Sequence, residues 1–269
     1  MFPIIAVACL AACSAVEEDE ALPAAAAKTA TAQATASAAS PAEGVSFSRS
    51  QEDGGASWEF KYSWPAEVAA RPELARKLEA ERTKLLAEEQ AGWLETKEYC
   101  PEDSVSCRSR SLQKDWKKVA EIPGWLSLSA DIYAYTGGAH GNSGFAAMVW
   151  DDRNAQGMEP VAMFKTPSAL EQAFGGKHCA ALNKEREKRR GMPVIPVDDG
   201  GFDSCPKIDE FVVIVGSSDG EKFDRIGLLA APYVAGPYAE GSYEVTLPVD
   251  AAIIAAVKPE YSGLFGAGR

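Results

Sequence analysis

The stretch Asp131-Ile132-Tyr133-Ala134-Tyr135-Thr136-Gly137-Gly138-Ala139-His140-Gly141-Asn142-Ser143-Gly144-Phe145-Ala146-Ala147-Met148-Val149-Trp150 decides how this chain folds. Asp131 to Tyr135 alternates polar and apolar residues and is rich in β-formers, which predicts a half-buried strand. Phe145 to Trp150 is a second short run of strand type. Between them, Gly137, Gly138 and Gly141 supply backbone angles that other residues reach only at a cost. The reading is two strands joined by a tight glycine loop carrying His140, one of only 2 histidines in the chain.

Upstream, Val45-Ser46-Phe47-Ser48 and Ser57 to Trp64 also alternate, with Glu52-Asp53-Gly54-Gly55 between them as a turn. They predict a hairpin with Trp58, Phe60, Tyr62 and Trp64 on one face, read as core rather than as a ligand platform. Pro72 suits the first turn of a helix. Leu74, Leu78, Leu85 and Leu86 trace one stripe among Glu, Arg and Lys, so an amphipathic helix is expected to end near Gly92 and to pack on the sheet. More strand is predicted over Trp116–Ala120 and Trp125–Tyr135, broken by Ile122-Pro123-Gly124.

Downstream, Met148–Asp152 and Pro160–Phe164 flank Asn154-Ala155-Gln156-Gly157, which predicts a further hairpin. Thr166-Pro167 opens a helix that reaches Phe174. A second helix runs from about Lys177 to Arg190 and stops at Gly191. Its Lys184, Arg186, Lys188, Arg189 and Arg190 complement the helix dipole, the alternative being contact with an anionic polymer. Phe211–Val215, Phe223–Ala230 and Ser242–Leu247 predict three more strands, with Asp250–Val257 as a short helix. Hairpins interrupted by a few helices give an α+β class: an antiparallel sheet with helices packed mainly on one face, in two subdomains.

The first residues carry a different message. An apolar run from Phe2 to Ala12 ends in Leu10-Ala11-Ala12-Cys13, the pattern of a secretory signal. Leu-Ala-Ala-Cys resembles the lipobox of bacterial lipoproteins, which implies cleavage before Cys13 and its lipidation. Lys28 is the first basic residue, so the natural start is expected upstream of Met1. The run is about half the ~20 apolar residues that cross a bilayer. Ser14 to Gly44 is Ala, Ser, Thr, Glu and Pro with almost nothing to bury, and so reads as a tether with a reach of ~30 Å. The resulting partition is a signal peptide over 1–12, lipidated Cys13 and tether over 13–44, a companion subdomain over 45–131 and a C-terminal domain over 132–269. An exported lipoprotein on the periplasmic side is expected. Ser14 favours the outer membrane in a host with two membranes, an expectation that rests on the lipoprotein resemblance.

The net charge of −12 argues against nucleic acid, because phosphate binding needs a basic surface. It favours a cationic partner or simply solubility. Four cysteines remain after the signal and the lipid site. An even number in an exported chain predicts disulfides, and the pairings that close local loops are Cys100–Cys107 and Cys179–Cys205. Zinc is the competing use, but no CxxC pair is present and histidines are scarce. No cofactor and no metal are expected.

Three segments together resemble a known family. They are the Tyr135–Asn142 loop, the Asp151…Gly157…Phe164 hairpin with the Ala169-Leu170…Phe174 helix, and Ala235-Gly236-Pro237-Tyr238-Ala239-Glu240-Gly241 before a strand and a short helix. The family is the extracellular RsiV-like domain, found in the anti-sigma factor RsiV and in the peptidoglycan deacetylase PdaC. The resemblance covers about Thr136 to Pro259, with Val45 to Asp131 similar to the companion subdomain. It implies an α+β fold at the cell surface and, from RsiV, binding of lysozyme as a signal.

His140 could be a general base or metal ligand, but no nucleophile or carboxylate stands near it at motif spacing, so it reads as a loop-capping group. Gly141-Asn142-Ser143-Gly144 is not a nucleophile elbow, since Phe145 stands where the motif requires glycine. Asp151-Asp152 reads as a solvated pair on a hairpin. Asp198-Asp199-Gly200-Gly201 reads as a loop without EF-hand ligand spacing. His178 is expected to be buried beside a disulfide, with no role. The preferred expectation is a non-catalytic envelope protein binding a lysozyme-like muramidase or peptidoglycan through loop residues Tyr135, His140, Asn142, Tyr238 and Glu240. The alternatives are a wall-polysaccharide hydrolase using His140 with Asp151 or Asp152, and a purely structural lipoprotein.

Overall fold

Alternation along β2 (Ala56–Trp64) puts Trp58, Phe60, Tyr62 and Trp64 on one buried face, and the first core forms there. The computed structural model describes residues 43–195 and 200–268. The signal, Cys13, most of the tether, Asp198 and Asp199 lie outside the described residues. β1 (Val45–Asp53) pairs antiparallel with β2 around Gly54 and Gly55, which take φ of 56° and 80°. A short helix α1 (Ala66–Ala69) leads into α2 (Pro72–Tyr99).

The helix α2 does not end at Gly92. Trp93 is fully buried, stacks on Trp58 with ring centroids 6.2 Å apart, and donates its indole N–H to the Arg108 carbonyl at 3.1 Å. That anchor secures two further turns, and a single glycine costs only ~1 kcal/mol against it. α3 (Val105–Arg108) sits within the loop closed by Cys100–Cys107, and β3 (Arg110–Ile122) follows. β4 (Trp125–Tyr135), β5 (Asn142–Asp151) and β6 (Gln156–Met158) complete a six-stranded sheet in chain order, β1 to β6. Its pairs are antiparallel except β2–β3, which is parallel. A parallel pair needs a crossover connection, and α2 supplies it. The boundary expected at 131/132 falls inside β4, where Asp131 pairs with Asp115 on one side and Phe145 on the other.

Pro160–Met163 is a 3-10 turn and not the expected strand. Pro160 has no N–H to give a ladder and suits the first position of such a turn. Only Phe164 bridges, to Val257. α4 (Pro167–Phe174) is capped by Thr166, whose hydroxyl accepts from the Ala169 N–H at 2.9 Å. α5 (Lys177–Arg190) ends at Gly191 with φ of 70°. A second, antiparallel sheet holds β7 (Val212–Gly216), β8 (Arg225–Ala230) and β9 (Tyr243–Pro248) in that order, and α6 (Ala251–Ala256) follows.

Two cores result. Leu74 and Leu78 of α2 pack with Phe60, Leu112 and Leu128 against one face of the large sheet. On its other face, Ile122 and Val149 join the second sheet and its helices through Phe174, Leu182, Phe223 and Ile253. The α+β class is thus present, with α2 on one face and the small sheet on the other. Both expected disulfides, Cys100–Cys107 and Cys179–Cys205, are formed. One polar chain runs through the first core. The Trp116 indole donates to the Tyr62 hydroxyl at 2.9 Å, that hydroxyl donates to Glu81 at 2.9 Å, and the buried Lys114 ammonium pairs with the same carboxylate.

Candidate ligand-binding face

The loop between β4 and β5 is shaped by close backbone approach. Gly137 (φ 97°) presses on the carbonyls of Ser106 and Cys107, so that a Cβ there would lie 3.3 Å from both oxygens. The Tyr135 hydroxyl lies within donating distance of the Gly138 carbonyl at 2.8 Å and the Ser106 carbonyl at 3.0 Å. Tyr135 therefore ties the glycine loop to the stapled Cys100–Cys107 loop and is a positioning residue rather than a contact surface.

His140 is exposed and stacks on Tyr238, with ring centroids 3.9 Å apart and planes 23° apart. The Tyr238 hydroxyl donates to the Gly141 carbonyl at 2.8 Å, and His140 Nδ1 lies 2.9 Å from the same oxygen. The two segments that carried the family resemblance, Gly-Gly-Ala-His-Gly and Gly-Pro-Tyr-Ala-Glu-Gly, thus meet in space. Tyr233 lies beside Tyr238 at 5.6 Å, and Tyr133 packs its ring against Gly141. Tyr133 and Tyr233 are 41% and 52% exposed, so these rings form an aromatic ledge open to solvent.

Beside the ledge lies a groove of about 320 Å³ on the face of the large sheet turned away from α2, lined by Gln113, Asp131, Tyr133, Ser143, Phe145 and Ser242. Strand register explains the lining. Gln113, Tyr133 and Ser143 stand abreast on β3, β4 and β5, and Asp115, Asp131 and Phe145 form the next row. Period-two alternation sends all of them away from the α2 core. Lys117 pairs with this acidic row, 2.5 Å from Asp131 and 3.6 Å from Asp115, and its hydrogen bond with Asp131 raises its pKa. Rings beside neutral and acidic hydrogen-bonding groups suit a polyhydroxylated ligand with apolar faces. Asn142 is exposed at the start of β5, next to this groove.

Glu240 does not join the ledge. Its carboxylate takes both nitrogens of a bidentate Arg190 contact at 2.8 and 3.0 Å, and the Tyr243 hydroxyl donates to it as well. Arg190, foremost, holds its pKa below the usual glutamate range. Of the basic cluster of α5, Lys184 and Lys188 stay exposed, while the three arginines turn to internal partners. The buried Arg186 donates to the carbonyls of Ala235 and Ser204 at 2.8 and 3.0 Å. Arg189 donates to those of Glu240 and Ser242 and lies over the Tyr243 ring. Three arginines thus grip the loop that presents Tyr238. Their spacing in sequence holds no hint of partners some fifty residues away.

Other carboxylates expected to be solvated are also occupied. Asp151, 7% exposed, accepts from the Arg153 and Asn154 amides and the Asn154 side chain, building the β5–β6 turn. Asp152 pairs with Arg71 at 2.7 Å. β5 separates them from His140 by ~30 Å at ~3.3 Å per residue. A hydrolase site combining His140 with either aspartate is therefore not assembled. Tyr133 and Tyr233 were missed by sequence reasoning. Alternation along β4 places Tyr133 outward with Asp131, whereas the positive φ of Tyr233 (73°) leaves no sequence signal.

Residues 52–143 match the family model described as Deacetylase PdaC, a third of the chain. The match spans β2 through β4 and the glycine loop, so it covers most of the expected companion subdomain (45–131) and only the first residues, 132–143, of the expected C-terminal domain. No curated protein matches the chain. Among solved structures, it is similar to a DUF3298 family protein from Pseudomonas aeruginosa PAO1 with 18% identity, covering 86% of this chain and 99% of that one at a TM-score of 0.49. It is also similar to a DUF3298 family member from Bacteroides fragilis NCTC 9343 with 14% identity, covering 77% and 90% at a TM-score of 0.45.

Proposed function

On the premise that residues 52–143 carry a PdaC-type domain of uncertain function, we propose that the protein is a non-catalytic, lipid-tethered envelope protein that binds the glycan of the cell wall. The observation that carries this reading is the exposed ledge of Tyr133, His140, Tyr238 and Tyr233 beside a groove lined by Gln113, Asp131 and Ser143. Sugar rings present apolar C–H faces and hydroxyl edges, and this surface offers aromatic faces and hydrogen-bonding groups to match. Two disulfides fit an oxidising compartment outside the cytoplasm. His140 lacks a carboxylate at ion-pair distance among the described residues, and the aspartates nearest in sequence are engaged elsewhere, Asp131 with Lys117, Asp151 in its own turn and Asp152 with Arg71. That favours binding over turnover, including over the deacetylase chemistry named by the matching family model.

A second reading, capture of a cationic lysozyme-like muramidase, rests on the net charge of −12. One experiment separates the two. The unlipidated chain is incubated with insoluble peptidoglycan and, in parallel, titrated with lysozyme, at low and high salt. Glycan binding through rings persists at high salt, whereas non-specific attraction to a cationic enzyme is screened. Salt-resistant lysozyme binding without peptidoglycan binding would replace the first reading with the second. Absence of both would leave the lipoprotein a structural one.

A further inference from the structure

Away from the ledge, His178 at the start of α5 is 4% exposed, with its Nε2 3.3 Å from Cys179 Sγ and 3.3 Å from Cys205 Sγ. With the two sulfurs it makes the one group of three or more metal-ligating residues gathered within 4.8 Å of one another among the described residues. The ring faces no carboxylate at ion-pair distance, and its Nδ1 is buried without a formed hydrogen bond. Around it stand Phe174, 5.5 Å away by ring centroid, the Pro206 carbonyl that favours protonation of the ring, and the more distant Glu171. Burial, foremost, lowers the pKa of the ring from its ordinary value.

We propose that reduction of the Cys179–Cys205 disulfide converts this cluster into a zinc site, with two thiolates and His178 Nε2 as ligands and a water in the fourth position. Zinc takes sulfur at ~2.3 Å and imidazole nitrogen at ~2.0 Å in tetrahedral array, which sets nitrogen and sulfur about 3.5 Å apart. The imidazole already lies at nearly that distance from both sulfurs, so only the two sulfurs must separate. A set of two soft sulfurs and one imidazole selects zinc over hard cations. The chemistry balances in two steps. A dithiol reductant passes two electrons and two protons to the disulfide and becomes a disulfide itself, leaving two protein thiols. The metal then displaces the two thiol protons to solvent. The Cys100–Cys107 pair has no histidine among the described metal-ligating groups and forms no such site.

The test uses the full chain with cobalt as spectroscopic stand-in and zinc as competitor. Oxidised protein is expected to show no cobalt–thiolate charge-transfer band. Reduced protein is expected to take one equivalent with tetrahedral d–d bands that zinc abolishes. His178→Gln weakens binding by more than about 100-fold, beyond the loss typical of an outer-shell partner. A Cys100→Ser, Cys107→Ser variant binds as the parent does. Circular dichroism of the reduced parent and of each variant accompanies the titration. A reduced parent that gives no band, whether folded or not, overturns the proposal. So does binding that His178→Gln leaves unchanged, or that is equally tight in denaturant, where any unfolded cysteine pair would serve.

Discussion

The imidazole of His140 lies flat over the phenol ring of Tyr238, centroids 3.9 Å apart, while the Tyr238 hydroxyl donates to the carbonyl of the very next residue, Gly141, at 2.8 Å. One tyrosine therefore both orders the glycine loop and supplies half of the exposed stack. The two contributions separate by mutation. Tyr238→Phe removes only the hydrogen bond and is expected to cost about 1 kcal/mol of stability with peptidoglycan binding kept. Tyr238→Ala also removes the ring, costs about 1–3 kcal/mol, and abolishes binding in a sedimentation assay. Binding that survives Tyr238→Ala removes the ledge from the ligand face.

Gly141 is where the loop and the groove touch. A Cβ at this position would lie 2.4 Å from the Tyr133 ring. Its φ is not in the left-handed region, so the penalty for a side chain is steric alone. Gly141→Ala is expected to destabilise by about 1–3 kcal/mol through this overlap. Removing the ring should relieve it, so Gly141→Ala with Tyr133→Ala is more stable than the two single losses predict. Chemical denaturation of all four proteins gives the coupling directly. Additive losses would mean that the two residues do not share this contact.

Much of this was legible in the sequence, and the reason is periodicity. Two-residue alternation located β2, β4 and β9, a short apolar run located β5, and helix punctuation by Thr166-Pro167 and Gly191 located α4 and α5. The disulfide pairing followed from loop lengths. What periodicity does not encode is which distant side chain will claim a charge. Glu240 looked like a free loop acid, yet Arg190 and Tyr243 consume it, and Asp151 looked solvated, yet it folds back on its own turn. The parallel β2–β3 pair was hidden for a related reason. Alternation identifies strands but is silent about their direction, and only the length of α2 hints at a crossover.

The clamp on Glu240 makes the loop sensitive to acid. Hydrogen bonds from Arg190 and then Tyr243 hold its carboxyl below the ordinary glutamate value in the folded chain. A carboxyl depressed in this way contributes stability that is fully present above its unfolded value. That contribution is lost as pH falls through the folded value. Glu240→Gln is expected to lose about 2 kcal/mol at neutral pH, a deficit against the parent that shrinks on acidification below pH ~4. Asp53, Glu67, Asp219 and Asp250 are also held low, so the variant keeps part of the parent's acid slope. Thermal denaturation across acid pH distinguishes the two slopes, and parallel curves would mean that Arg190 does not hold the charge.

Tyr62 gives the opposite pH signature from inside the first core. Its hydroxyl accepts from the Trp116 indole and donates to Glu81. Burial, and then the neighbouring Glu81 charge, push its ionisation well above the ordinary tyrosine range. A phenol that ionises at ~10 only when unfolded contributes stability below that pH and loses it progressively as pH rises further. Tyr62→Phe strands the buried indole N–H without its acceptor and leaves Glu81 to Lys114 alone. We expect a loss of about 1–3 kcal/mol at neutral pH, together with a smaller fall in stability above pH ~10 than the parent shows. A variant as stable as the parent at neutral pH would mean that the Trp116–Tyr62–Glu81 chain fills space without holding the helix α2 to the sheet.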